Sequence, residues 1–152
     1  MADPTSVPLS DAHTPKPAAI RAFETSLHDI KNEFHKARKR WDEHEPKMFA
    51  RVQGFTDHEL LEGLNMEDDL VQVRTGESAY VISCVAMSNF RYGLHLFGKI
   101  KLKKVDDAYI QVRLFVTEKE VKVHCIHKEE DTSHGIFNAI FRQTDPLEWF
   151  NE

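Results

Sequence analysis

The chain has 152 residues, 41% hydrophobic and 30% charged, with a formal net charge of −5. That is the balance of one globular domain, long enough to bury a core without disulfide or metal staples. It argues against wholesale nucleic-acid binding, and two cysteines are too few for a disulfide-built scaffold.

Residues 1–8, Met-Ala-Asp-Pro-Thr-Ser-Val-Pro, lack the basic start and apolar centre of a secretory signal. No apolar run approaches the length of a membrane span. Cys84 and Cys125 are therefore expected as reduced thiols in a cytoplasmic or nuclear setting. Pro4, Pro8, Pro15 and Pro17 crowd the start, so residues 1–14 read as a disordered or extended arm. Residues 15–152 read as a single α+β domain.

A long N-terminal helix is expected from Thr14-Pro15-Lys16-Pro17, where a cap and prolines suit the first turn. Ile20, Phe23, Leu27, Ile30, Phe34, Ala37 and Trp41 recur at steps of three and four, making one apolar stripe. Such a stripe can zip two chains together, but in a mixed domain it belongs against a sheet. Pro46 ends or kinks this helix. A capping box at Thr56 and Glu59 starts a second, shorter helix carrying Leu60, Leu61 and Leu64, which Asn65 can close.

From Asp69 the period becomes two. Leu70 to Arg74 reads as a short strand, Thr75-Gly76 as a turn, and Tyr80 to Met87 as a buried strand before a turn at Ser88-Asn89. Phe90 to Leu102 is a long strand in which Gly93 and Gly98 suggest bends or bulges. After Asp106-Asp107 comes Ile110 to Val116; after Glu118-Lys119 comes Val121 to Cys125. A short C-terminal helix is expected from Ser133, with Ile136, Phe137, Ile140 and Phe141 on one face. Leu147, Trp149 and Phe150 should tuck back onto the body. The expected fold is α+β: the long helix on a curved antiparallel meander of four to five strands, with a short C-terminal helix. The outline is similar in shape to cystatin-like and nuclear-transport-factor-like domains. The Gln-Val-Val-Ala-Gly loop of cystatins is absent; the nearest string is Val71-Gln72-Val73-Arg74.

No nucleophile elbow, phosphate loop or dinucleotide fingerprint is present, and no cofactor is expected. His124 and His127 fall on opposite faces of a strand; with Cys125 and His95 they do not complete a tetrahedral zinc set, so no metal is expected. Glu67-Asp68-Asp69 reads as a solvated turn. His28 and His35 read as solvent-facing. The strongest candidate surface is one sheet face. Strand parity groups Lys99, Lys101 and Lys103 with His95 and Phe97, then with Tyr109, Gln111, Arg113 and Phe115, then with Lys122, His124, Ile126 and Lys128. Cations interleaved with aromatics suit a single-stranded nucleic acid or anionic ligand. The same pattern is also the ordinary polar face of an antiparallel sheet.

Three functions follow. The leading one is a non-enzymatic binding or protein-interaction module, whose partner is another protein or a second copy in a homodimer. An alternative is a small cone-shaped isomerase or dehydratase, with a pocket between helix and sheet and His95, Tyr92 or Tyr80, and a carboxylate as its parts. The last is a nucleic-acid or anionic-ligand binder using the basic face, which the net charge disfavours.

Overall fold

The computed structural model describes residues 9–44, 51–52, 54–81, 90–117, 119–131 and 136–150, with side chains described for 9–40, 51–52, 54–76, 93–117, 119–129 and 138–150. The fold is α+β. Helices α1 (Pro17–Thr25), α2 (Leu27–His44), α3 (Asp57–Leu61) and α4 (Met66–Asp69) precede four long strands, β1 (Leu70–Val81), β2 (Phe90–Lys101), β3 (Tyr109–Val116) and β4 (Val121–Ile126). These pair as an antiparallel meander in the order β1-β2-β3-β4. A small hairpin follows, β5 (Glu129–Asp131) with β6 (Ile136–Asn138).

The expected single N-terminal helix is two helices. Pro17 opens α1, and Ser26 separates α1 from α2 while its amide still bonds to Ala22 and Glu24. The apolar stripe runs across this break. Phe23, Ile30 and Phe34 are fully buried among Val73, Leu96, Ile100, Ile110, Val112 and Leu114 of the sheet. Helix-to-sheet packing is thus what the three-four rhythm encodes. Trp41 belongs to α2, but its side chain lies outside the described residues.

Thr56 and Glu59 form the expected capping box at α3, both bonds 3.1 Å long. Asn65 does not close α3. It caps α4, the helix that holds the Glu67-Asp68-Asp69 cluster. Asp69 is buried there and pairs with Lys103 at 3.1 Å.

Several strand expectations are corrected. The expected Thr75-Gly76 turn is the middle of β1, opposite Leu96 and His95. Pairing with long β2 outweighs the local glycine signal, because each residue in register adds cross-strand contacts. The segment expected as strand and turn over 82–89 lies outside the described residues. Gly93 and Gly98 are in register rather than bulged. Each clears space for an aromatic ring: a Cβ would fall 2.1 Å from Phe115 at Gly93 and 2.3 Å from Phe23 at Gly98. The register shifts are elsewhere, at Leu70/Gln72 of β1 and where β4 meets Arg113/Leu114.

Over the described residues 136–150, the segment expected as a C-terminal helix is not helical. Ile136–Asn138 is strand β6, and Phe141 bridges Tyr109 through reciprocal bonds of 2.7 and 2.9 Å. The pattern Ile136, Phe137, Ile140, Phe141 fits a helix face, but branched and aromatic residues also suit a pleated surface, and tertiary pairing decides. The stretch expected as an arm is ordered against the sheet over its described part. Ser10 donates to Thr75 at 2.8 Å, and His13 bridges Val73 on the outer side of β1.

Candidate functional site: a sheet face under the C-terminal segment

One face of the meander packs on the helices. The other carries the candidate residues. The register places Arg74 opposite Phe97, Phe97 opposite Arg113, Lys99 opposite Gln111, Lys101 opposite Tyr109, and His95 opposite Phe115. The parity argument therefore holds across β2 and β3. It fails in two places. Lys103 lies past the end of β2, where the chain turns; it donates to Gly63 O at 2.9 Å and pairs with Asp69 on the helical side. In β4 the partner of Phe115 is Lys122 but the partner of Arg113 is Cys125, so one extra residue is accommodated near His124. Beyond it the parity reverses. Ile126 pairs with Val112 and packs in the helical core, while Cys125 sits beside Phe97, and His127 stacks on rings of the covered face. Lys122 and His124 are exposed, and Lys128 is half-buried.

This face is covered rather than open. Phe97 is 0% exposed, Lys99 2%, Arg113 3% and His95 5%. Residues 141–150 lie over it, and Leu147, Trp149 and Phe150 pack against Phe97. The tuck of these three residues is as the sequence reading anticipates. The burial of the cations beneath them is not.

What holds the segment is its main chain. Lys99 Nζ donates to Gln143 O at 3.0 Å and to Asp145 O at 2.6 Å. Gln111 Nε2 donates to Pro146 O at 3.3 Å. Arg74 Nη1 donates to Leu147 O at 2.9 Å, while its Nε donates to Ser10 O at 2.8 Å, tying both chain ends to β1. Arg113 Nη1 donates to Phe150 O at 3.0 Å. Arg51, outside the sheet, donates to Phe141 O at 3.2 Å and Asp107 O at 2.6 Å. Burying a charge is costly unless it is hydrogen-bonded, and these carbonyls supply the bonds.

Aromatic groups complete the cover. The Arg113 guanidinium lies between Trp149 (4.6 Å to the ring centroid) and Phe97 (5.4 Å). Lys99 and Lys101 both lie over the Tyr109 ring, at 5.1 and 4.9 Å. His127 stacks on Phe141 and Phe150, at 5.1 and 4.2 Å. His95 meets Phe115 edge-on at 4.9 Å and Trp149 at 5.4 Å. Burial pushes His95 down to about 4, aided by the charges of Arg113 and His124. Burial likewise lowers Lys99, against the opposing pull of Asp145 and Asp107.

Among the described residues, no carboxylate joins His95. Its hydrogen-bond partner is Arg113, and the charges acting on it are Arg113 and His124, with no carboxylate. The side chains of Tyr80 and Tyr92 lie outside the described residues. A cavity of about 270 Å³ does lie between α1 and the sheet, walled by Ala19, Ala22, Val73, Leu94, Leu96 and Val116. Among the described residues its titratable lining is His13 and Lys16, with no carboxylate. Among the described residues no three His, Cys, Asp or Glu side chains converge as a metal site, and no helix is long and apolar enough to cross a membrane.

Arg74, Arg51, Cys125 and His127 belong to this site without having been singled out for it by strand parity. The signal for them lies in the C-terminal residues. Three large apolar side chains just after Pro146 require a receiving surface, and an extended segment brings unpaired carbonyls that require donors. No family model, curated protein or solved structure matches the chain.

Proposed function

We propose that this chain is a non-enzymatic protein-interaction module whose sheet face receives an extended polypeptide segment. One observation carries the reading. Side chains from three strands, Arg74, Lys99, Gln111 and Arg113, all direct their donors to main-chain carbonyls of residues 143–150. Carbonyls are common to every polypeptide, so such donors would grip an extended chain, while the apolar slots filled by Leu147, Trp149 and Phe150 would select its side chains. The resident C-terminal segment acts as the self-ligand, and a partner occupies the face when that segment leaves. A second copy presenting the same segment is the simplest partner and would give a homodimer. Nucleic acid fits this reading less well, because the cations beneath the segment already have carbonyl partners and the net charge is −5. The reading places the chain in the cytoplasm or nucleus, where the Cys125 thiol, packed against Phe97, stays reduced.

The test uses the full chain and a fluorescent peptide of residues 139–150. A tethered segment competes at an effective concentration of about millimolar, so the wild type should bind the peptide poorly. Leu147→Ala with Trp149→Ala loosens the resident segment and should raise peptide affinity at least tenfold. Adding Arg113→Ala should remove the gain. Equal binding of a scrambled peptide would defeat the proposal.

A further inference from the structure

The hydrogen bond between Arg113 and His95 has a direction. Arg113 Nη2 can only donate, so His95 Nδ1 accepts, at 3.0 Å. The ring is then neutral, with its proton on Nε2. That atom is buried and has no hydrogen-bond partner among the described residues. A second proton would fall on Nδ1, setting a donor against a donor and a cation against the guanidinium. Among the described residues, neither ring nitrogen would then have an acceptor. Arg113 is the group that donates to Phe150 O and lies against Trp149, so displacing it loosens the end of the segment.

We propose that His95 is a pH-sensitive latch: its protonation expels the end of the C-terminal segment and opens the sheet face beneath. That the opened face then receives a partner rests on the function proposed above; the opening itself does not.

The groups facing His95 favour this behaviour. Arg113 and Phe115 approach from β3 and Trp149 from the segment, while His124 of β4 adds to the charge opposing its protonation. Other ionisable groups lie near the segment: Asp145, whose carboxylate accepts from the Arg142 amide, and Glu148 belong to it, and His127 and Asp107 lie beside it. His127 lies on the Phe141 and Phe150 rings, where a proton adds cation–π attraction and does not expel them. Asp107 accepts from the Gln143 amide and pairs with Arg142, and the Gln143 bond holds its carboxyl below the ordinary range, so it releases the segment only at lower pH.

The sign is fixed by the depression of His95. Above its ordinary value of 6.5, both closed and open states are neutral and the latch holds in full. Below it, the open state takes up a proton and the closed state does not, until about 4. Over that window the closed-to-open ratio should fall about tenfold per pH unit.

The test is hydrogen–deuterium exchange of the full chain, read over residues 142–150. His95→Gln keeps an acceptor for Arg113 and cannot be protonated. Comparison at the same pH cancels the intrinsic exchange chemistry. Wild-type protection relative to His95→Gln should fall about tenfold per unit across the window, with α2 and β3 unaffected and His127→Gln behaving as wild type. A ratio that stays flat overturns the latch. So does a parallel loss in α2, which would make His95 a contributor to global stability only. Should His95→Gln misfold, an NMR titration of the unaltered chain decides: His95 and the Trp149 indole should shift together, and a His95 transition that leaves Trp149 unmoved overturns the proposal. Adding the fluorescent peptide of residues 139–150 at both ends of the window separates the two readings. Opening without peptide capture keeps the latch and removes the docking function.

Discussion

Lys99→Met isolates the grip on the main chain. Lys99 is 2% exposed; methionine keeps most of its aliphatic stem and removes the ammonium, which is bonded to Gln143 O and Asp145 O. A hydrogen bond to a charged group contributes ~1.5–3 kcal/mol, so the two together give a gross loss of ~3–6 kcal/mol. Part of that is offset, because methionine does not carry the desolvation that burial imposes on the ammonium. The carbonyls can also recover water if the segment shifts. The expected net destabilisation is about 1–3 kcal/mol. Lys101→Met is the matched control. Lys101 lies on the same face, over the same Tyr109 ring, but is half-buried, so its loss should stay within about 0.5 kcal/mol. Urea unfolding of both variants, followed by circular dichroism, gives the difference directly. Equal stabilities for the two would refute the claim that Lys99 clasps the segment.

Three further outcomes follow from the packing. Phe97→Ala should cost about 3–5 kcal/mol by denaturant unfolding, since the ring is fully buried between sheet and segment. Gly98→Ala should cost about 1–3 kcal/mol, because its Cβ would stand 2.3 Å from the Phe23 ring, whereas Gly54→Ala meets nothing within 4 Å and should be close to neutral by the same assay. Deleting residues 9–13 removes the bonds of Ser10 and His13 to β1 and should lower the melting temperature by several degrees, roughly 2–4 °C per kcal/mol for a chain of this size; an unchanged melting temperature would mean this docking adds no stability.

Where periodicity and local chemistry agree, the fold was legible. The Phe23, Ile30, Phe34 stripe, the capping box at Thr56 and the long alternation of β2 and β3 all point one way and stand in the structure. Parity also grouped Phe97, Lys99, Lys101, Tyr109, Arg113 and Phe115 correctly. Two of the failures share a cause, which is that distant partners override local signals. Thr75-Gly76 carries a turn signature, yet β2 and Ser10 extend it as strand. Ile136 and Phe137 fit a helix face, yet pair with Asp131 and Glu130. The added residue near His124 reverses parity in β4, and no composition rule marks a bulge. The burial of Lys99 and Arg113 was the least legible feature. Alternating cations normally mean an exposed face, and only the carbonyls of residues 143–150 make burial affordable.

The covered face is tested most directly by lysine acetylation of the native chain, quantified site by site by mass spectrometry. Lys99 lies under the segment, whereas Lys122 has a side chain 68% exposed. Lys99 should react far more slowly than Lys122 and should become reactive when Leu147→Ala and Trp149→Ala loosen the segment. Lys99 reacting as fast as Lys122 in the wild type would show that the basic face is open and contradict the account.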